Sequence, residues 1–278
     1  MVGRCPYPSG RRISQTTWIN KDTIMSFYKT IARFYDAENS DKTDDIDLYL
    51  ELAEEYGGPI IDIGCGTGRV MLPLVRAGYE VHGIDNEKAM LKRAEGYRGQ
   101  FNISADKMVL HEGDVLSYHL DKKFPLVLVP YNGMMHFHSQ EAQLAVLKKL
   151  RAWTADDGLL VLDLPNAGEI FASQDTSAVT LERTFLEPET GHIVMQQSVT
   201  FLDRVTQLLR VTWIYDEITA DGTVKRTFAP LMLYYYFYNE MRLLLSQAGF
   251  EVEGVYGDVD YSPYEDGCER MVIFAKPI

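Results

Sequence analysis

Three glycines at alternate positions, directly after a short apolar run, constrain this chain more than any other feature. The segment reads Ile60-Ile61-Asp62-Ile63-Gly64-Cys65-Gly66-Thr67-Gly68. Glycine lets the backbone turn tightly and lets a ligand approach without a Cβ in the way. A dinucleotide-binding loop would carry its last glycine one residue later, where Arg69 stands, and a phosphate-binding P-loop would continue with Gly-Lys-Ser/Thr. The spacing argues against both, and leaves an ordinary strand-to-helix turn or a loop for a different ligand.

Apolar runs alternate with amphipathic stretches from Pro59 onward, which is typical of a parallel sheet covered by helices. The runs that predict buried strands are Ile60–Ile63, Tyr79–Ile84, Met108–His111, Phe124–Val129 and Leu159–Leu164, and helical stretches lie between them at 69–77, 87–97 and 139–152. This order predicts a doubly wound α/β domain, whose ligands bind at the carboxyl ends of the strands.

The flanking regions complete the predicted architecture. Residues 23–56 show helical spacing with a break at Asn39-Ser40-Asp41, and four β-like segments follow at 178–186, 192–203, 207–218 and 223–236. A helix at 239–248 ends at Gly249, and Phe250–Tyr256 and Arg270–Ala275 resemble returning strands. We therefore expect a flexible leader (1–22), an α/β domain (23–176 and 239–278) and an antiparallel β insertion (177–238) after the fifth strand, acting as a lid.

The charge of the chain bears on its partners. The formal net charge is −13, and we find no run rich in Lys and Arg beyond the first residues, which disfavours nucleic acid as a partner. The acidity also fits a cationic acceptor, or simply solubility. No stretch is apolar enough to span a membrane, and three cysteines without metal-ligand spacing predict a reduced, cytoplasmic protein.

The glycine loop closely resembles motif I of the class I S-adenosylmethionine-dependent methyltransferases, through Asp62, Gly64, Gly66 and Gly68. The resemblance covers roughly residues 28–165 and implies a seven-stranded, mostly parallel, Rossmann-like sheet. It also implies that the loop passes beneath the methionine and ribose parts of S-adenosylmethionine, which becomes S-adenosylhomocysteine.

Further positions fall where this cofactor needs them. Asp85 ends the second strand and can accept both hydrogens of a ribose diol. Asp114 can accept from the adenine amino group, although an Asp there is often only a turn residue. The resemblance assigns the remaining predicted cofactor contacts to Tyr28, Tyr35, Asn86, Met90, Val115 and Pro130. The tyrosines could equally be packing residues.

One position departs from the family pattern. The fourth strand begins Phe124-Pro125-Leu126, where the family usually has an aspartate after the aromatic residue. Proline cannot donate to a β ladder, so we expect a local structural consequence and no loss of cofactor binding.

The fourth strand leads into a segment that should face the transferred methyl group. Tyr131 and His136 are the candidate catalytic residues and Asn132 a candidate substrate contact. His136 could deprotonate a hydroxyl or orient an amine, or be merely structural. His136 and His138 lack an evident third ligand, so we predict no metal. Val129-Pro130-Tyr131 lacks the leading amide or acid of nucleobase amino-methyltransferases.

The aromatic run at the end of the insertion is the other predicted wall of the acceptor site. Tyr234 and Tyr236 would share one strand face and line a pocket, or else pack within the sheet. Arg270 would suit an acceptor carboxylate or phosphate, or be a solvated charge. The predicted function is methyl transfer to nitrogen or oxygen of a small molecule; the alternatives are a protein or RNA methyltransferase and a non-catalytic cofactor-binding partner.

Overall fold

The computed structural model describes residues 21–173 and 176–278, with side chains from Phe27 onward apart from those of 174–177. Most of the predicted leader therefore lies outside the described residues, and the first helix already begins at Lys21. The helices are α1 (Lys21–Glu38), α2 (Ile46–Tyr56), α3 (Met71–Arg76), α4 (Lys88–Gln100), α5 (Gln140–Trp153), α6 (Ala167–Ala172) and α7 (Tyr238–Ala248). The strands are β1 (Ile60–Ile63), β2 (Val81–Asp85), β3 (Met108–Glu112), β4 (Phe124–Val129), β5 (Thr154–Pro165), β6 (Thr176–Leu186), β7 (Ile193–Asp203), β8 (Leu208–Ile218), β9 (Val224–Tyr234), β10 (Phe250–Tyr256) and β11 (Arg270–Pro277).

The main sheet has seven strands in the order β10-β11-β5-β4-β1-β2-β3. β1 to β5 pair in parallel, whereas β11 runs antiparallel to both β5 and β10, which confirms the predicted mostly parallel sheet. All residues of β1 are buried because helices cover both faces of the sheet. The chain order reverses beside β1 and β4, so a ligand crevice is expected at their carboxyl ends.

The insertion forms a separate four-stranded antiparallel sheet in the order β6-β7-β8-β9. Its inner face packs against α1 through a small core in which Phe34 stacks on Tyr215, with ring centroids 4.9 Å apart. α1 thus lies between this antiparallel sheet, called the lid below, and α4 of the main domain. α6 was not predicted from the sequence, because six residues show too little periodicity to be recognised.

Pro125 has the local effect that its missing N–H predicts. Phe124 pairs with Thr154, but Leu126 pairs with Leu159, so the register between β4 and β5 shifts across the proline. Gly158 fits the irregular segment, since a Cβ there would lie 2.7 Å from the Pro125 carbonyl oxygen. The shift lies at the start of β4, away from its carboxyl end.

Gly83 in β2 supports a direct test of this packing. A Cβ at this position would lie 2.3 Å from Met71 Sδ and 2.7 Å from Cys65 Sγ. We expect Gly83→Ala to lower the free energy of unfolding by about 1–3 kcal/mol, the usual cost of overpacking a core. Gly96→Ala is the matched control: its Cβ meets nothing within 4 Å in α4, so it should stabilise the protein by about 0.5–1 kcal/mol. Urea unfolding measures both; equal effects of the two variants would contradict the packing.

Candidate active site

A cavity of about 660 Å³ lies at the carboxyl ends of β1, β2 and β4, beneath α1 and the lid. The elements meet there because parallel strands direct their carboxyl ends to one edge of the sheet. The sequence-predicted residues that line it are Tyr28, Tyr35, Asp62, Gly64, Gly66, Asp85, Asn86, Met90, Asp114, Val115, Pro130, Tyr131, Asn132 and His136. Gly68, Tyr234, Tyr236 and Arg270 do not line it.

The glycine loop turns along the floor of the cavity. Gly64 and Gly66 both have a positive φ, of 73° and 56°, and a Cβ on Gly64 would meet no atom within 4 Å. The space above Gly64 is therefore open to a ligand. Gly68 has a different role from the one predicted, since a Cβ there would lie 2.8 Å from Met108 Cε beneath the loop. It permits close helix–sheet packing and does not face the cavity.

Asp85 is held rigidly at the end of β2. One carboxylate oxygen accepts a hydrogen bond from Gly66 N at 2.9 Å and the other accepts from Glu87 N at 2.8 Å. Burial raises the pKa of the carboxyl, although the backbone N–H groups oppose this shift. Each oxygen keeps a lone pair, so the oriented carboxylate can accept further hydrogen bonds from a ligand.

Asp62 and Asp114 present carboxylates in contrasting surroundings. Asp62 is buried, its Oδ1 has no hydrogen-bond partner, and burial raises its pKa to about 7. A buried carboxylate oxygen without a hydrogen-bond donor keeps its desolvation cost uncompensated, which accounts for the raised pKa of Asp62. Asp114 is exposed at the rim, and its Oδ1 accepts from Leu116 N at 2.9 Å. Asp114 therefore stabilises a turn, which was one of its two possible roles from the sequence, and it also lines the cavity.

Tyr28 and His136 form a hydrogen-bonded pair across the cavity. Tyr28 Oη lies 2.9 Å from His136 Nε2, which joins α1 to the short 3-10 helix Gly133–His136 after β4. Each ring exposes part of its surface to the cavity, but the cavity is deep, and this burial lowers the pKa of His136 to about 4. Burial also raises the pKa of Tyr28. Both side chains are neutral at physiological pH.

The turn that carries Tyr131 and Asn132 is supported from below. Both residues have a positive φ, of 45° and 65°, which is costly outside glycine. Asp163 on β5 stabilises the turn, since its carbonyl oxygen accepts from Asn132 N at 3.1 Å and its Oδ2 lies 3.4 Å from Tyr131 N. Arg270 donates to Asp163 at 3.0 Å and to Asp44 at 2.7 Å. The prediction that Arg270 contacts the acceptor is therefore wrong: its charge is neutralised behind the turn.

The prediction that Tyr234 and Tyr236 line the acceptor pocket is also wrong. β9 ends at Tyr234, so the aromatic run does not continue as a strand with a pocket-facing side. Both rings are buried in the core beside α5 and α7. Tyr236 Oη donates to the carbonyl oxygens of Met134 and Phe137, and Tyr234 Oη donates to Glu240. Tyr236 thus supports the 3-10 helix that carries His136.

The lid contributes residues that sequence reasoning missed. Trp213, Leu231 and Leu233 form an apolar wall, and Gln196 and Tyr215 add polar atoms. Gln196 Nε2 and Tyr215 Oη both donate at 2.9 Å to Glu38 Oε2, at the end of α1, and burial raises the pKa of Glu38 to about 7. Val194, Gln196 and Ser198 alternate along β7 and are all buried on its inner face. This alternation could have identified Gln196 only if the inner face of β7 had been known.

Within 21–173 and 176–278, no group of three or more His, Cys, Asp or Glu side chains could hold a metal ion. No helix in the same part of the chain is long and apolar enough to cross a membrane.

Comparisons with known proteins agree with this geometry. Residues 60–158 match the family model described as a methyltransferase domain. The cypemycin N-terminal methyltransferase of a Streptomyces species is 26% identical over 220 residues, which are 78% of this chain and 82% of the relative. The glycine/sarcosine N-methyltransferase of Aphanothece halophytica is 23% identical over 236 residues, covering 83% and 80%. The CcbJ methyltransferase of Streptomyces caelestis has the same fold, with a TM-score of 0.75, 20% identity and coverage of 92% and 98%.

Proposed function

We propose that the chain is an S-adenosylmethionine-dependent methyltransferase and that it methylates an amine nitrogen of a small molecule. The observation that carries the choice of nitrogen is the Tyr28–His136 pair. A histidine whose pKa is lowered to about 4 is too weak a base to deprotonate a hydroxyl efficiently at neutral pH. An amine brings its own lone pair and needs only to be oriented. Of the two relatives described above, one is an N-methyltransferase of glycine and sarcosine and the other an N-terminal methyltransferase by name.

The residues of the cavity fit the cofactor. Asp85, already oriented by two backbone N–H groups, would hold the ribose diol, and the bare Gly64 backbone leaves room for the sugar and sulfur. The Asp62 carboxyl, which lines the cavity, would attract the ammonium of the methionine end. Asn86, Met90, Asp114 and Val115 would border the adenine. When bound, S-adenosylmethionine supplies a methyl group on a positively charged sulfur that leaves as a neutral thioether.

The protein's part in the reaction is positioning. In the tautomer that leaves His136 Nε2 unprotonated, Tyr28 donates to it, and the phenol oxygen is free to accept an N–H of the acceptor. That hydrogen bond directs the nitrogen lone pair away from Tyr28. The lid and α1 border the cavity and, with both ligands bound, would reduce the water around the reacting atoms. Orientation of this kind can supply up to about 7–11 kcal/mol of the barrier reduction.

The shape of the cavity favours a small acceptor over the alternatives. Its volume of about 660 Å³ lies in the range of small-molecule sites, and Trp213, Leu231 and Leu233 of the lid line part of it. A non-catalytic partner would fill the space beside Tyr131 and His136 with side chains, but here both residues line an open cavity.

A panel of acceptors tests the proposal. The protein is incubated with S-adenosylmethionine and with amines in matched pairs with their hydroxyl analogues: amino acids, amino sugars and alkylamines. Mass spectrometry measures S-adenosylhomocysteine and the methylated product. We expect turnover with one class of amine and at least tenfold less with its hydroxyl partner. Turnover confined to hydroxyl compounds, RNA or folded protein would contradict the proposal.

A further inference from the structure

Lys42 is a cation on the cavity wall to which the proposed reaction gives no role. It lies in the turn between α1 and α2, half-buried, with Nζ 3.8 Å from the centroid of the Tyr131 ring. The ring that supports it is carried on the turn with positive φ described above. Among the described side chains, none accepts a hydrogen bond from Nζ, and none forms an ion pair with it.

The neighbouring carboxylates are occupied by other partners. The Asp45 carboxylate accepts hydrogen bonds from both terminal guanidinium nitrogens of Arg69, at 2.6 and 2.7 Å. Asp41 lies 3.5 Å from Arg183. Glu38 accepts from Gln196 and Tyr215. The chain has 40 acidic and 27 basic residues, so carboxylate partners are plentiful. An ammonium on the cavity wall that has none among the described side chains is therefore available to bind a ligand.

We propose that Lys42, held over Tyr131, is the anion-binding group of the cavity and takes a carboxylate from a bound ligand. The carboxylate belongs either to the methionine end of the cofactor or to the methyl acceptor. The inference rests on the proposed function, because both ligands are assigned by it. An ammonium suits a carboxylate because the charge-assisted hydrogen bond is stronger than a neutral one and replaces water lost on burial. The π face of Tyr131 stabilises the ammonium from the other side and leaves its N–H groups directed to the ligand.

The charge on Lys42 also predicts how binding depends on pH. Burial, and to a smaller extent Arg183 and Arg69, lower the pKa of Lys42. Glu38 and Asp41 oppose this shift, and the resulting pKa is about 8. Lys42 is therefore protonated below about pH 8, and a bound carboxylate favours that form. Carboxylate affinity should fall as the pH rises through 8. Arg69, whose pKa is raised by Asp45, stays charged over this range, whereas Glu38, with a pKa of about 7, gains negative charge just below it.

Calorimetry on the full chain tests the site with two cofactor probes. S-adenosylhomocysteine carries the carboxylate, and its decarboxylated analogue S-adenosyl-3-thiopropylamine lacks it. We expect Lys42→Gln to weaken S-adenosylhomocysteine at least tenfold and to change the analogue less than twofold. Lys42→Arg should keep the affinity and remove its decline between pH 7 and 9. Lys149→Gln is the matched control, since Lys149 lies 5.6 Å from the Trp153 ring, outside the cavity, and should change neither probe.

A second arm distinguishes the acceptor as the source of the carboxylate. Glycine and glycinamide are titrated into the S-adenosylhomocysteine complex, and the melting temperature is followed. If the acceptor supplies the carboxylate, Lys42→Gln leaves cofactor affinity unchanged and abolishes the preference for glycine over glycinamide. Unchanged preferences in both arms, with the unaltered protein binding S-adenosylhomocysteine, would overturn the carboxylate site and leave the proposed function standing. Failure of the unaltered protein to bind S-adenosylhomocysteine would overturn both.

Discussion

Replacing Asp85 with Ala should weaken binding of S-adenosylhomocysteine about 100-fold. The carboxylate is positioned by Gly66 N and Glu87 N before any ligand arrives, so no ordering cost is left for binding. A 100-fold loss is about 2.8 kcal/mol, close to the low end for two hydrogen bonds to a charged acceptor at about 1.5–3 kcal/mol each. The substitution also frees Gly66 N, which loosens the loop beneath the cofactor. Isothermal calorimetry measures the change directly.

Asp85→Asn separates the two parts of that effect. An amide oxygen can still accept from one backbone N–H, so the loop should stay in place while the charge is lost. Burial raises the pKa of Asp85, which means that the folded, ligand-free protein holds this charge at a cost. We therefore expect Asp85→Asn to melt at or above the temperature of the unaltered protein without ligand. It should gain little on adding S-adenosylhomocysteine. Full ligand-induced stabilisation in either variant would remove Asp85 from the ribose site.

The parts of the site predicted from the sequence are those carried by the main sheet. β1 and β4 were predicted with their observed bounds, because a strand buried on both faces leaves an unbroken apolar run. Asp62 and Asp85 were predicted for a related reason. A polar side chain in or at the end of a buried strand is expected to line the crevice at the carboxyl ends of the strands. Gly68 follows the same spacing as its neighbours, yet it faces Met108, because only the first part of the loop borders the cavity.

The lid and the helix beneath it could not be predicted to the same depth. Tyr234 and Tyr236 looked like one face of a strand, but β9 ends at Tyr234, and a change of strand end moves every later side chain. Glu38 and Gln196 meet across 158 positions of sequence, and no local pattern records that contact. Arg270 resembled a ligand-binding charge because Asp163, its partner on β5, is adjacent only in the folded sheet.

Removing the His136 ring should lower turnover about 100-fold without changing cofactor affinity. His136→Ala leaves the Tyr28 hydroxyl without its partner, so the phenol no longer has a fixed orientation toward the acceptor nitrogen. The effect is placed at the low end of that for groups that handle protons, about 10²–10⁴, because the amine needs orientation rather than deprotonation. Steady-state kinetics with the fastest amine of the panel gives kcat, and calorimetry with S-adenosylhomocysteine gives the affinity.

Tyr28→Phe should reproduce most of that loss, and the double variant should be hardly worse than either single one, because the two side chains act as a unit. Tyr118→Phe is the matched control: Tyr118 Oη lies 3.1 Å from His111 Nδ1 in a similar pair that does not line the cavity, and turnover should stay within about twofold.

The pH profile gives an independent readout. His136 stays neutral down to about pH 4, so a fall in kcat/KM between pH 8 and 6 should come from protonation of the amine, and of Asp62 and Glu38 with their pKa values of about 7, rather than from His136. Acceptors of lower basicity should shift the fall in kcat/KM to lower pH. A fall at the same pH for all amines that is abolished in His136→Ala would instead mean that His136 acts as a base. A hydroxyl acceptor would then have to be reconsidered.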